Sequence, residues 1–294
     1  MINSNFLLEY KDATFFHTSM WLETVKFYWG MDYDYEFQFI NGKKVILPLS
    51  VYQYNGTDFY FSTFKGYGGY LSDSSLSIDE RRECESKIQH KYQYFKMRDN
   101  PLNPFLTTVA PVITNDFTYI VQRKNRGEKV HRSHRRNIAK AKENNINCRQ
   151  AMNRKEWEQF YQTCYLDTVK KWNNPSIIYR FDILEHLSQY NNVFLYIAEW
   201  KKEIVAGVVV LTFNRHAHCW LSGINQQHKE KMPLYMLIHD LIEGVLDEEV
   251  EYLDLGVSGM NDNLRFFKRG FGAISFTTLQ YATTNIFKDI KDYL

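Results

Sequence analysis

Several residues in this chain have types and spacings that could do chemistry. Asp254 stands between Leu253 and Leu255 in a short apolar run, Tyr252 to Gly256. In a strand it points away from both leucines, and a carboxylate among apolar neighbours could act as a general base with a raised pKa. The plainer role is pairing with, or capping, a neighbouring group. His216 and His218 alternate on one face of an expected strand. Two histidines at that spacing can bind zinc, but a site needs further ligands, and the neighbouring sequence offers none. The expectation is therefore no metal. Arg135 and Arg136 sit in a strongly basic stretch and suit bidentate phosphate recognition. Lys65, Tyr67, Gly68 and Gly69 fall in one loop, where glycines could admit a ligand close to the backbone or simply close a tight turn. Lys268 stands among Phe266, Phe267 and Phe271, with Gly270 and Gly272 beside it. Such a frame could hold one cation in a water-poor cleft; taken singly, Lys268 reads as a solvated lysine on a surface helix. There is no G-x-S-x-G, P-loop or dinucleotide fingerprint.

The elements that must position these residues follow a pattern that occurs twice. Tyr35 to Ile40, Lys43 to Gln53 and Asp58 to Thr63 read as strands, separated by Asn41-Gly42 and Asn55-Gly56. Asn-Gly between alternating segments favours type I′ hairpin turns, since both central residues need positive φ. In the second half Val193 to Trp200, Glu203 to Phe213 and His216 to Ile224 repeat the arrangement, with turns at Lys201-Lys202 and Asn214-Arg215. Helical segments precede both meanders: Ser19 to Trp29, then Lys155 to Lys170 and Asp182 to Tyr190. Leu234, Leu237, Ile238, Leu241 and Val245 share one face of a helix that Pro233 opens. Tyr252 to Gly256 reads as a buried strand and Asn261 to Arg269 as a short helix with Gly270 at its C-cap. Ser275 to Thr284 reads as a final strand. Between the halves, Glu128 to Asn145 reads as a helix with Val130, His134, Ile138 and Ala141 on one face and its basic residues opposite.

Composition limits the remaining classes. The chain has 294 residues, enough for two ordinary domains, and 16% aromatic residues. Net charge is only +2, yet Arg123 to Lys142 holds nine basic residues against Glu128, so the remainder sums to −6. The basicity is local and points to an anionic partner or a solvated helix face. Four scattered cysteines, no basic-then-apolar leader and no long apolar run predict a cytoplasmic protein without a transmembrane segment.

Three stretches together carry a family resemblance. His131 to Lys142 (HRSHRRNIAKAK), running on to Asn145 and Ile146, resembles the "RRxIxKAxKxGI" helix of Fem-type peptidoglycan-bridge transferases and their GNAT relatives. Tyr252 to Gly256, with Leu264 to Ala273 (LRFFKRGFGA), resembles their "YDFxG…GLxxFKxxFG" signature, and Phe64 to Gly69 (FKGYGG) their "PFGxYGG" loop. The three occur in the family's order over most of the chain. The resemblance implies an α+β fold of tandem duplicated GNAT-like (acyl-CoA N-acyltransferase) domains, each a mixed, mainly antiparallel sheet covered by helices. The expected domains are 1–125 and 126–283, the second opened by the basic helix, with the tail 284–294 returning to the first. The implied activity moves an acyl or aminoacyl group from a coenzyme A thioester or charged tRNA to an amine of a small-molecule or cell-envelope precursor. Lys268 then becomes the oxyanion or phosphate contact and Asp254 a second catalytic candidate. Lys65, Tyr67, Gly68, Gly69, Arg135, Arg136 and Arg265 are the candidate binding residues. Two family features are missing. No segment has room for a seryl-synthetase-like coiled-coil arm, and Gln226 to Pro233 lacks the glycines of the usual pyrophosphate loop. The competing expectation is a non-catalytic nucleic-acid-binding module using the basic helix, whose attraction would be salt-sensitive.

Overall fold

The computed structural model of the chain describes residues 4–104, 112–127, 129–171, 178–246 and 249–284. It divides into two compact units, Met1–Thr118 with Phe276–Leu294, and Tyr119–Ser275. Both are mixed α+β with mainly antiparallel strands. Of the expected C-terminal tail, residues 285–294 lie outside the described residues.

After two 3-10 helices, Ser4–Glu9 and Phe15–His17, the first unit forms α1 (Ser19–Trp29), closed by Gly30 in the left-handed region at φ 70°. Three antiparallel strands follow, β1 (Asp32–Ile40), β2 (Lys43–Tyr54) and β3 (Thr57–Ser62). Their turns carry positive φ at Asn41, Gly42, Asn55 and Gly56, as type I′ geometry demands. A short β4 (Leu71–Ser72) pairs with β2. Then α2 (Ile78–Lys91) starts from a capping box between Ser77 and Glu80. Next, β5 (Phe95–Arg98) runs parallel to β3. On its other side β5 takes an antiparallel partner from the end of the chain, β12 (Ile274–Ala282), Tyr281 opposite Met97. The core of this unit gathers Val45, Leu47, Leu49, Cys84, Ile88, Phe95 and Tyr281.

The second unit takes the last residues of β6 (Val112–Gln122) and then α3 (Arg132–Glu143). α3 starts later than the expected Glu128, because His131 donates its backbone N–H to Gly270 O at 2.8 Å and serves as N-cap. After β7 (Asn147–Gln150), the expected helix Lys155 to Lys170 runs on without interruption as α4 (Arg154–Phe160), a π turn (Tyr161–Tyr165) and α5 (Leu166–Val169). The sheet comes unusually close there. A Cβ at Gly207 would lie 2.4 Å from the Phe160 ring, and one at Gly223 would lie 2.6 Å from the backbone nitrogen of Tyr165. α6 (Phe181–Leu187) leads into the second meander, β8 (Val193–Trp200), β9 (Glu203–Phe213) and β10 (His216–Ile224). β9 is buried from Ile204 to Leu211 and forms the core's centre. α7 (Pro233–Val245), β11 (Tyr252–Val257) and α8 (Asp262–Arg269) complete the unit. Its strand order is β6-β11-β10-β9-β8-β7.

Gly270 ends α8 as expected, but with φ −63° it is not a left-handed cap. Its missing side chain serves packing instead, since a Cβ would fall 2.1 Å from the His134 ring. The left-handed residue is Gly272, at φ 82°.

Candidate functional site

The site grows out of the pairing between β10 and β11. These strands run parallel over three registered pairs only: His216 with Tyr252, Ala217 with Leu253 and His218 with Asp254. Beyond that point β10 bulges between Cys219 and Leu221 and keeps its ladder with β9 to Ile224. β11 bends through Gly256, at φ 80°. No further β10–β11 pair is registered among the described residues, so the sheet opens.

A cavity of about 390 Å³ lies at that opening. Cys219 and Ser222 line it from β10, Leu255 from β11, Leu234 and Ile238 from α7, and Lys268 from α8. Leu234 stands in the first turn of α7, where backbone N–H groups and the helix dipole favour an anion. Burial pushes the Cys219 thiol up, so it is a neutral lining group rather than a thiolate.

Lys268 is not a solvated surface lysine. It is 6% exposed, and its Nζ donates to Gly256 O at 2.7 Å and to Val257 O at 2.9 Å. Asn261 caps the helix that carries it by accepting from Leu264 N–H at 3.0 Å. The ammonium is thus pinned to the end of β11, at the wall of the cavity.

Asp254 points to the face of β11 opposite Leu255 and is fully buried. Its Oδ1 accepts the Gly256 N–H at 2.7 Å. Its Oδ2 lies 3.2 Å from His218 Nδ1 and 3.8 Å from His216 Nε2. Burial alone would raise the carboxyl's pKa, but the His218 and His216 imidazoles reverse this and hold it well below the usual carboxylate range. Burial pushes the His216 imidazole down, against the pull of Asp254. The sequence shows no third ligand near the two histidines, yet the fold supplies one: parallel pairing sets Asp254 directly opposite His218. The expectation that metal ligands are lacking is corrected on this point.

Arg265 shares α8 with Lys268. Its guanidinium bonds the Gly259 carbonyl and pairs with Asp262 at 3.4 Å. Arg135 and Arg136 are exposed on α3. The opposite face of α3 buries His134 among the rings of Tyr235, Phe266, Phe267 and Phe271, with Nε2 2.8 Å from Phe267 O. Hence the basic helix is packed through His134 onto the segment that carries Lys268.

The other candidates belong to the first unit. Tyr67 is 2% exposed and edges the Phe16 ring. Gly68 donates to Arg98 O at 2.7 Å, and a Cβ there would fall 1.7 Å from Ser62 O. Gly69, at φ 94°, donates to Ser62 Oγ at 3.1 Å. Both glycines are therefore required by the loop's own folding. Lys65 is exposed and stands over the Phe64 ring at 5.1 Å.

Sequence reasoning passed over Cys219, Ser222 and Leu234. The bulge and the parting of two parallel strands bring them to one cavity, and neither leaves a local signature.

Residues 128–269 match the family model described as the acetyltransferase (GNAT) domain. No curated protein sequence matches the chain. Among solved structures, FemX is similar over 99% of this chain and 99% of its own, with TM-score 0.71 at 8% identity. A conserved protein of unknown function from Bacteroides thetaiotaomicron VPI-5482 is similar over 96% and 92%, with TM-score 0.57 at 13% identity. The match gives residues 128–269 an acetyltransferase (GNAT) domain, with acyl-group transfer chemistry of that general type, and the structural likenesses show the fold. The match favours acyl transfer over the expected alternative, a non-catalytic nucleic-acid-binding module. Among the described residues no helix is long and apolar enough to cross a membrane.

Proposed function

We propose that this acyltransferase draws its acyl group from a coenzyme A thioester and passes it to the primary amine of a cell-envelope precursor. The observation that carries the reading is the opening between β10 and β11, with the Lys268 ammonium fixed at its wall and the start of α7 at its rim. A thioester arm laid in that opening would bring its carbonyl toward Lys268 and its phosphates toward α7, where backbone N–H groups replace the missing glycine loop. The amine attacks the carbonyl, a C–N bond forms, negative charge gathers on oxygen beside Lys268, and the C–S bond breaks as one amine proton passes to the departing sulfur, which leaves as the thiol. Asp254 fits a positioning role better than that of free base, because the Gly256 N–H already occupies Oδ1 at 2.7 Å and Oδ2 faces the His218 imidazole at 3.2 Å. Arg135 and Arg136 are the phosphate contacts on α3. Arg265 orders the loop before α8. Lys65, Tyr67, Gly68 and Gly69 form a backbone-lined binding loop in the first unit.

We read the two units as copies of one GNAT-like domain, divided near residue 125, of Fem-type descent and working in the cytoplasm. Each contains a meander, then a helix, then a strand parallel to the meander's third, β5 beside β3 and β11 beside β10.

The test is a binding and turnover panel. Acetyl-coenzyme A should raise the thermal midpoint by mass action, and amino-sugar or peptide amines should then release free thiol. Stabilisation by aminoacyl-tRNA alone would overturn the coenzyme A donor and leave the acyltransfer reading standing. Thiol release without any dependence on amine would overturn the acceptor.

A further inference from the structure

We infer that His216, His218 and Asp254 form a binding site for one divalent transition-metal ion of the zinc class, placed where β10 and β11 part. Each residue offers one ligand atom, and all three atoms lie within 4.8 Å of one another. The Asp254 Oδ2 separations are 3.2 Å to His218 Nδ1 and 3.8 Å to His216 Nε2. Ligand atoms on a tetrahedral zinc ion stand roughly 3.4 Å apart, given metal–ligand bonds of about 2.0–2.2 Å. Small side-chain rotations close the difference.

A second observation points the same way. His216 is 1% exposed, and neither ring nitrogen has a partner at hydrogen-bond distance among the described residues; Nε2 faces the Asp254 carboxylate from 3.8 Å. Buried imidazole nitrogens normally find partners, and a metal ion is a partner that accepts a nitrogen lone pair. The remaining Asp254 oxygen is already oriented by the Gly256 N–H at 2.7 Å, as outer hydrogen bonds orient ligating carboxylates.

Two histidines and one carboxylate match the three-ligand zinc pattern, with water or another oxygen as the fourth ligand. The ligands come from both strands at their last registered pair. The ion clips β10 to β11 where the opening begins and so sets its starting point. This inference does not depend on the acyl donor or acceptor.

The test uses the full chain without a histidine tag. After exposure to zinc and dialysis against metal-free buffer, elemental analysis should find about one equivalent per chain. Zinc should raise the thermal midpoint. Cobalt in its place should give visible absorption of four- or five-coordinate type. His216→Gln and Asp254→Asn should each lose the bound metal and the cobalt spectrum. Wild-type protein that retains no metal and gives no spectrum overturns the site. Retention undiminished in both variants overturns it too, because the metal is then elsewhere. If a variant fails to fold, the wild-type stoichiometry and cobalt spectrum decide alone.

Discussion

The Lys268 ammonium donates to the Gly256 carbonyl at 2.7 Å, tying α8 to the end of β11. A second bond, to Val257 O at 2.9 Å, fixes it further. The charge is positioned by backbone acceptors that no rotamer change can move.

Lys268→Met keeps most of the side chain's length and removes the donors. It should destabilise the fold by about 1–3 kcal/mol, because two carbonyls lose a charged partner in a largely dry place. Turnover should fall on the order of 10²–10³-fold, with substrate affinity changing much less. Lys268→Arg should recover only part of either quantity, its planar fork aiming donors differently. Denaturant unfolding beside steady-state kinetics separates the two effects. Weaker binding with normal turnover would make Lys268 a ground-state anchor.

Gly270→Ala probes how α3 meets α8. The backbone there accepts alanine, at φ −63°, but the Cβ would strike the His134 ring 2.1 Å away. The expected loss is about 1–3 kcal/mol, the usual cost of overpacking. In a His134→Ala background the same change should cost little, so a double-mutant cycle by chemical denaturation should report strong coupling.

Arg135 and Arg136 are exposed and can be removed together. The double alanine variant should keep its stability within about 1 kcal/mol, since surface substitutions usually stay within about ±0.5 kcal/mol each. Affinity for a phosphate-bearing donor should drop and should lose part of its salt dependence. Titration calorimetry at two ionic strengths reads both. Unchanged affinity for every such donor leaves these arginines as solvation of α3.

Glu80 gives a pH prediction remote from the site. Its carboxylate takes Lys43 Nζ at 2.7 Å and the Ser77 N–H at 2.7 Å, and these hold its pKa down at about 2 from 4.5. A depressed folded-state value contributes stability above the unfolded pKa and loses it as pH falls from about 4.5 toward 2. Glu80→Gln should flatten stability across that window and leave the slope at neutral pH unchanged. Urea midpoints measured at several acidic pH values check it.

Local chemistry made much of the fold legible. Asn41-Gly42 and Asn55-Gly56 set their turns because positive φ is a property of those residues, and α1 keeps its expected ends because Gly30 stops it. Pro233 opens α7 and Asn261 caps α8 for equally local reasons. Segments shaped by contacts with distant chain read less well. The helix expected over Lys155 to Lys170 gains a π turn where it lies against Gly207 and Gly223, and Gly270 proves to be a space for His134 rather than a left-handed cap. The site shows the same division. The sequence by itself determined that Lys268 sits on a short helix, that Asp254 turns away from its leucines, and that His216 and His218 share a strand face. Only the tertiary structure decided that Lys268 is buried against the end of β11 and that Asp254 stands opposite His218. Alternation within a strand is set by each chain's own backbone. The register between two parallel strands joined through a helix is set by how that helix packs, and no short stretch of residues encodes it.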